Sequence, residues 1–333
     1  MKKAIVKLLM APAIRAMYDR QGGVKHLTLT TALEKIDRLF SCDRILREAH
    51  QDFTVVYYTQ SEWGYRLIHS PEGAIHMALN VDGMFHPDGY YAHARLVAQQ
   101  IEAIGANHVL EIGCGKGFNT YFLATRYPTV TFTGIDLTPL HIRSASRQAA
   151  HCQNVVFRIR DFNYLDVPDQ SVDLVFGVEC LCHSRQPKQS LAELFRILRP
   201  GGRLIVFDGY RRAPLDRYTL PMQTATVLTE VSMAVQDGFV ERDRWDELAR
   251  SIGFLIHTCD DLTTAIQPTI NRLQAISSLF FQMPGRARIL AFLLPKYLVR
   301  NAIAGLLMPF VFTSDPTVGS LGYYQWILQR PDQ

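Results

Sequence analysis

The chain has 333 residues, about twice the ~150 residues of an average domain. Apolar residues make up 48% and charged residues 20%, which excludes a largely disordered, collagen-like or coiled-coil protein. The net charge is only +4, from 35 Lys and Arg against 31 Asp and Glu, so no nucleic-acid partner is predicted.

The first 20 residues are basic and moderately apolar. They contain Lys2, Lys3, Lys7 and Arg15, and Pro12 interrupts their apolar stretch. This pattern favours a basic amphipathic helix at a membrane surface over a cleaved signal peptide. Further along, Thr31 and Glu34 predict a capping box, and apolar residues at helical spacing predict a helix over residues 31–50.

Residues 53–91 are crowded with aromatic residues and glycines, which favours a lid or pocket wall over a regular element. We therefore expect residues 1–91 to form an N-terminal helical and aromatic extension.

From residue 92 onward, apolar strands alternate with helices. The strands HVLEIG, VTFTGID, VVFRIRD, VDLVFGVE and GRLIVFDG are each preceded or followed by a helical pattern. This alternation predicts an α/β doubly wound parallel sheet, with its core over residues 92–274. A helical insert is expected at 275–314, and the last, antiparallel strand, carrying Trp326, at 315–333.

The six cysteines are scattered, which favours a reducing, cytoplasmic compartment. Cys180, Cys182 and His183 form one tight cluster, but no second ligand pair has the spacing of a structural zinc site. No metal site is predicted.

A glycine-rich turn follows the first strand and opens a helix. Its sequence runs from Glu111 to Gly117 as Glu-x-Gly-x-Gly-x-Gly, which is typical of a loop that lets a nucleotide-like ligand approach the backbone. Residue 118 is Phe, so the Gly-x-Gly-x-x-Gly spacing of dinucleotide folds is missing, and an NAD-dependent reductase is disfavoured.

Two further carboxylates end the following strands. Asp136, 19 residues beyond Gly117, can accept hydrogen bonds from both ribose hydroxyls. Asp161 can accept from an adenine amino group, and Phe162 can pack on the ring, although Asp161 alone could also be a helix cap. Together with Glu111, these carboxylates are complementary to a cationic ligand that carries ribose and adenine.

These motifs, with the LRPGG before the fifth strand, resemble the class I S-adenosylmethionine-dependent methyltransferases over roughly residues 95–330. The resemblance implies a seven-stranded, mostly parallel Rossmann-like sheet and S-adenosylmethionine as cofactor. The residues that it implies for the cofactor pocket are Glu111, Gly113, Gly115, Gly117, Asp136, Leu137, Asp161, Phe162 and Glu179.

A narrower resemblance comes from three other segments. The Glu-Cys-Leu-Cys-His segment at 179–183 and the aromatic stretch at 57–65 resemble sterol C-methyltransferases. The Asp-Asp-Leu-Thr at 260–263 and the ending LGYYQWILQRP are similar to tocopherol methyltransferases.

The chemistry of methyl transfer suggests the catalytic groups. An alkene acceptor would become a carbocation, which aromatic rings stabilise by about 0.5–2 kcal/mol each, and a base must then remove a proton. Tyr57, Tyr58, Trp63 and Tyr65 are candidates for the first role, although each could equally belong to the core. The candidate bases are Glu179, His183 and Glu62. For a phenol or quinol acceptor, His183 would take its proton directly.

The stretch 262–314 contains no acidic residue and is otherwise basic and apolar. Its longest charge-free run, 301–314, is too short to span a bilayer and contains Pro309. It is therefore expected to lie on an anionic membrane, to cover a pocket, or to pack on the flank of the sheet.

The sequence thus predicts a methyltransferase that acts on a hydrophobic small-molecule acceptor, most readily on a carbon of an isoprenoid or sterol-like lipid. O- or N-methylation of a small phenol, quinol or phosphobase is the alternative within this class. A non-catalytic cofactor-binding or membrane-interaction protein is the alternative outside it. The sequence leaves the oligomeric state open.

Overall fold

The computed structural model describes residues 26–49 and 53–332. Seven strands form one sheet in the order β3-β2-β1-β4-β5-β7-β6, in which only β7 runs antiparallel to its neighbours. The strands are β1 (His108–Ile112), β2 (Thr131–Asp136), β3 (Val155–Ile159), β4 (Val172–Val178), β5 (Leu198–Arg211), β6 (Leu255–Asp261) and β7 (Leu321–Gln329). The predicted α/β fold with a mostly parallel sheet is confirmed, and Trp326 lies on β7 opposite Val206.

The helices surround this sheet. They are α1 (Leu29–Phe40), α2 (Cys42–Leu46), α3 (Thr54–Gly64), α4 (Ala92–Ile104), α5 (Phe118–Arg126), α6 (Pro139–Gln148), α7 (Pro187–Ile197), α8 (Leu220–Ser232), α9 (Arg242–Ile252), α10 (Thr263–Gln282), α11 (Pro284–Leu293) and α12 (Lys296–Val311). No helix in the described ranges is long and apolar enough to cross a membrane.

The central strands are apolar on both faces because helices cover both sides of the sheet. On β4 and β5, Leu174, Phe176 and Ile205 belong to one hydrophobic cluster, and Val175 and Val206 belong to the cluster on the opposite face. All five side chains are fully buried. The sheet is therefore the rigid support for the loops that follow its strands.

The strand order reverses between β1 and β4, where ligands of open parallel sheets bind. In register, Ile112 lies beside Ile135 of β2 on one side and Gly177 of β4 on the other, and Val178 pairs with Phe207 of β5. Four carboxylates at or just beyond the strand ends consequently meet at this edge: Glu111, Asp136, Glu179 and Asp208.

The N-terminal extension differs from the sequence prediction in two ways. Helix α1 is capped by Thr28, whose hydroxyl accepts from the Thr31 backbone N–H at 3.2 Å, so the predicted capping box at Thr31 and Glu34 is wrong. The second difference is that the predicted single helix is interrupted at Ser41, where φ is +56°, and forms two helices, α1 and α2. The basic segment at residues 1–20 lies outside the described residues.

Residues 54–69 of the aromatic segment are helical, where the sequence predicted no regular element, whereas residues 70–86 contain neither helix nor strand. Helix α3 continues into one π-helical turn, Tyr65–His69. Phe53, Tyr57 and Ser61 recur every four residues and are buried, and α3 packs on α12. Apolar and aromatic residues of the helix lie on several of its sides, so the sequence does not show the helical spacing of its buried residues.

The insert before β7 consists of α10, α11 and α12. Helix α10 starts at Thr263, directly after β6, so the boundary expected at 274/275 lies inside this helix. Helix α12 packs against α10, α8 and α3. The insert and the N-terminal helices therefore meet over one end of the sheet.

A buried ion pair fixes α8 to the end of β5. The Arg211 guanidinium donates to both carboxylate oxygens of Glu230, from Nε at 2.7 Å and from Nη2 at 2.6 Å, and the Phe239 N–H donates to Oε1. Glu230 is almost completely buried. The pair thus anchors the segment after α8, which forms part of the functional site.

Substitution Arg211→Met should leave the Glu230 carboxylate buried without its partner and lower the free energy of unfolding by about 3–5 kcal/mol. The matched control is Arg242→Met, because Arg242 pairs with Asp243 on the surface. That change should cost less than ~1 kcal/mol. Urea unfolding of both variants measures the difference, and equal losses would contradict the role of the buried pair.

Candidate functional site

In the loop after β1, neighbouring segments pack so closely on the glycines that these positions have no room for a side chain. Gly113, Gly115 and Gly117 all have positive φ, between 52° and 78°. A Cβ on Gly113 would lie 2.3 Å from Cys180 Cβ, and one on Gly115 would lie 2.6 Å from Ile75 Cδ1. Positive φ and the close packing of these neighbours therefore both require glycine in this loop, which lies at the switch point of the sheet where ligands bind.

Glu111 lies beneath this loop and is buried. Its Oε1 accepts from Asn119 Nδ2 at 3.1 Å, and its Oε2 accepts from the Thr120 N–H at 3.0 Å and from the Thr120 hydroxyl. Burial raises the pKa of this carboxyl to about 7, against the lowering effect of these hydrogen bonds. Both oxygens thus bind the first turn of α5, and Glu111 holds the loop in position.

Asp136 at the end of β2 connects the loop to α6. Its Oδ2 accepts from the Gly115 N–H at 3.0 Å, its Oδ1 accepts from the Thr138 N–H at 2.6 Å, and His141 Nδ1 lies 3.5 Å from Oδ1. Burial raises its pKa, but the contacts with His141 and Thr138 outweigh this effect and lower it. Asp136 is therefore ionised at neutral pH, and the next residue, Leu137, is exposed.

Asp161 follows β3 and stabilises a local turn. Its Oδ1 accepts from the backbone N–H and the side-chain amide of Asn163, both at 2.8 Å. The neighbouring Phe162 is largely buried. No helix directly follows Asp161, so the side chain stabilises a turn and is not the helix cap that the sequence left open.

Glu62 lies on α3 above the glycine loop. Its Oε1 pairs with Lys116 Nζ at 2.8 Å, and its Oε2 lies 4.0 Å from His141 Nε2. It is not among the residues that line the neighbouring cavity, so this geometry does not support the expectation that Glu62 is a base. Instead, the ion pair ties α3 to the loop. The side chain of Trp63 lies outside the described parts of the chain.

A cavity of about 670 Å³ lies between the sheet edge and the insert. Its walls are mainly apolar and come from α3 and the π-helical turn after it, from α10, α11 and α12, and from the segment after α8. The apolar lining includes Ile68, Ile75, Met77, Val235, Phe239, Ile266, Ile270, Leu273, Phe280, Leu290, Leu298, Met308 and Phe312. A volume of this size is typical of a small-molecule site.

Two carboxyl groups line the cavity at the sheet edge. Glu179 has a φ of +51°, and its Oε1 accepts from the Met77 N–H at 2.7 Å and from Tyr323 Oη at 3.0 Å. Burial raises its pKa to about 8. Asp208 accepts from the Cys182 N–H at 2.9 Å, and burial raises its pKa to about 6.

His183 also lines the cavity, and its tautomer follows from its contacts. Its Nδ1 lies 3.0 Å from the Ala234 carbonyl, which can only accept, so Nδ1 carries the proton. Its Nε2 therefore accepts from Tyr58 Oη at 2.8 Å. Burial lowers the pKa of His183, so the ring is neutral at pH 7.

The predicted aromatic residues that can be placed converge on this cavity. Tyr57 Oη donates to Asn301 Oδ1 at 2.7 Å, so Tyr65 Oη, 3.1 Å away, donates to Tyr57. The rings of Tyr58 and Tyr65 stack with centroids 6.2 Å apart. Tyr57, Tyr58 and Tyr65 therefore form one aromatic wall beside His183.

Sequence reasoning missed three polar residues of the cavity: Asp208, Tyr323 and Asn301. Asp208 follows the apolar run of β5, the same signal that identified Asp136, and could have been found. Tyr323 and Asn301 contact residues 144 and 244 positions earlier, so no local pattern indicates them. Among the described residues, no cluster of three or more His, Cys, Asp or Glu is arranged to hold a metal ion.

Comparisons with known proteins agree with this geometry. Residues 109–202 match the family described as "Methyltransferase domain". The S-adenosyl-L-methionine-dependent Diels-Alderase iccD of Talaromyces variabilis is 26% identical over 298 residues, which are 84% of this chain and 93% of that protein. Demethylmenaquinone methyltransferase of Tropheryma whipplei is 30% identical over 177 residues, 50% of this chain and 72% of that one.

Among solved structures, the mycolic acid cyclopropane synthase CmaA1, complexed with SAH and CTAB, has a TM-score of 0.67 at 17% identity. The match covers 83% of this chain and 97% of that one.

Three other curated relatives are matched over only 54%, 58% and 62% of their own length. The chain belongs to the class I S-adenosylmethionine-dependent methyltransferases, and S-adenosylmethionine is its cofactor.

Substitution Asp136→Ala should weaken S-adenosylmethionine binding by more than about 1.5 kcal/mol, because a charge-assisted acceptor is lost. Isothermal titration measures the change. Asp88→Ala is the matched control, since Asp88 pairs with Arg95 on the surface. Equal affinity of the two variants would remove Asp136 from the cofactor site.

Proposed function

We propose that this protein transfers a methyl group to a carbon of an isoprenoid or sterol-like acceptor that binds in the apolar cavity. The observation that carries the proposal is the position of this cavity. It touches the sheet edge at Glu179, Asp208 and His183, next to the glycine loop, and is otherwise mainly apolar. The narrower likeness to sterol and tocopherol methyltransferases and the cytoplasmic location are part of the same proposal.

The residues at the switch point fit the cofactor. Gly113, Gly115 and Gly117 carry no side chain between their backbone and a ligand, and Asp136 supplies the negative charge and acceptor oxygens that ribose needs. Leu137, Asp161 and Phe162 would hold the adenine side, Glu111 would position the loop, and Glu179 would close the site toward the cavity. When bound, the cofactor supplies an electrophilic methyl group on a sulfonium.

The residues of the cavity suit an alkene acceptor. A new carbon–carbon bond would leave a carbocation on the acceptor, which the rings of Tyr57, Tyr58 and Tyr65 can stabilise. Loss of a proton then completes the reaction. The Tyr58 oxygen can accept this proton while its own proton passes to His183 Nε2, since the ring is neutral and already bonded to that hydroxyl.

Glu179 is a poorer base at neutral pH, because its raised pKa keeps it protonated. The pH profile of turnover therefore distinguishes His183 from Glu179 as the base. With His183 as the acceptor, turnover should be nearly constant between pH 7 and 9, whereas with Glu179 it should rise as that carboxyl ionises near pH 8.

We expect His183→Ala to reduce turnover by about 100-fold with unchanged cofactor affinity, and Glu179→Gln to keep the flat profile. His151→Ala is the matched control, since His151 is exposed, contacts Tyr121 and is not among the residues that line the cavity. Initial rates at several pH values measure the effect. A rate that rises through pH 8 in the wild type and is lost in Glu179→Gln would assign the base to Glu179.

A second candidate function is a cofactor-dependent cyclisation without methyl transfer. One observation favours it: the relative named as a Diels-Alderase is matched over 93% of its length, whereas Tropheryma whipplei demethylmenaquinone methyltransferase is matched over 72%. An apolar cavity of this size can fold a polyene as well as hold it.

Transfer of labelled methyl to a panel of isoprenoid, sterol, quinol, phenol and phosphobase acceptors distinguishes these functions. We expect labelled isoprenoid or sterol, with one equivalent of S-adenosylhomocysteine for each product. Label in a phenol, quinol or phosphobase would instead favour O- or N-methylation. Conversion of a polyene without S-adenosylhomocysteine would favour the cyclisation.

A further inference from the structure

Helix α11 separates the large cavity from a second, basic cleft. Its residues Arg286, Leu290 and Leu293 line the cavity, at a spacing of four and three residues. Ala287, Arg288 and Ala291, on another side of the helix, line a cleft of about 420 Å³ that α1, α2 and the start of α12 complete. One side of α11 therefore faces the cavity and a second side faces the basic cleft.

The third side of α11 is apolar and exposed. Ile289 and Phe292 are 62% and 89% exposed, and their spacing of three residues places them together. Arg286 and Arg288 lie at the two edges of this side. An apolar ridge between arginines is the reverse of an ordinary surface helix, in which the outer face is polar.

The cleft beside this ridge is strongly cationic. Arg44, Arg288, Lys296 and Arg300 line it. Glu48 pairs with both Lys296 and Arg300 at 2.7 Å, and among the described residues no ion pair is formed by Arg44 or Arg288. Residues 262–314 contain no acid at all, so the face carries an excess of positive charge.

We propose that this face, consisting of Ile289 and Phe292 with the cleft residues Arg44, Arg288, Lys296 and Arg300, docks on an anionic lipid bilayer. The two apolar side chains insert among the acyl chains, and the cations bind lipid phosphates. Docking brings α11, which forms one wall of the cavity, onto the bilayer, so that a lipophilic acceptor enters the cavity beside this helix from the membrane. Only the entry of the acceptor from the membrane depends on the proposed function; the docking itself does not.

Flotation of the full chain with vesicles tests the docking. One vesicle is phosphatidylcholine with about a third phosphatidylglycerol, and the other is phosphatidylcholine alone. We expect preferential binding to the anionic vesicle that weakens with added salt, because screening acts on exposed charges. The double variant Arg44→Gln/Arg288→Gln should bind it about 30-fold more weakly. Phe292→Ser should weaken it about tenfold or more.

The control variants remove the same kinds of side chain, two arginines or one apolar residue, at positions outside the proposed docking face. Arg143→Gln/Arg147→Gln removes two exposed charges from α6, and Leu220→Ser removes an apolar side chain that is 72% exposed on α8. Both controls should bind vesicles as the wild type does. Thermal unfolding of every variant should remain at the wild-type midpoint, because all these side chains lie on the surface.

Three results would overturn the proposal. These are equal binding to the two vesicles, equal binding by the α11 and control variants, and binding of inorganic phosphate in the cleft without any vesicle binding. Titration with S-adenosylmethionine on the same samples keeps this test separate from the proposed function. Vesicle binding without cofactor binding would leave the docking surface in place and remove the methyl transfer.

Discussion

The reversal of strand order between β1 and β4 is the constraint on which the site depends. At this point the chain after β1 and the chain after β4 leave the sheet in opposite directions, which opens a crevice at the carboxyl edge. The glycines of the loop close the crevice from one side, since Gly113 lies against Cys180 after β4. Glu111 and Asp136 lie on the strands next to this crevice, and Glu179 follows β4 at the same edge and lines the cavity.

The same edge concentrates negative charge in a poorly solvated place. Burial raises the pKa of Glu111, Glu179 and Asp208, whereas the contacts of Asp136 with Thr138 and His141 keep it ionised. A sulfonium ligand is cationic, so it is stabilised by the ionised carboxylate and by the dipoles around it. Glu179, whose pKa is raised to about 8, is mostly protonated at neutral pH and can donate a hydrogen bond, whereas Asp208, whose pKa is raised only to about 6, is mostly ionised. The edge therefore holds charged and protonated carboxyl groups close together.

The N-terminal helices and the insert build the acceptor side together. Helix α3 is held to the glycine loop by the Glu62–Lys116 ion pair and to α12 by the Tyr57–Asn301 hydrogen bond. Helix α11 has cavity, basic cleft and solvent on its three sides. Helix α3 therefore contacts both the glycine loop and the insert, and α11 forms part of the cavity wall.

The sequence by itself determined the alternating strands and helices, the glycine loop and the carboxylates at the strand ends. These features are local, since a strand, its end and the next turn are a few residues apart. Helix ends and the aromatic segment were predicted less well, because Thr28 rather than Thr31 accepts the N-terminal hydrogen bond and because α3 is apolar on several sides. Only the tertiary structure decided that Glu62 pairs with Lys116, that Tyr58 bonds to His183 and that Asn301 and Tyr323 join the cavity. These contacts join residues 54 to 244 positions apart, and packing over such distances leaves no periodic signal in the chain.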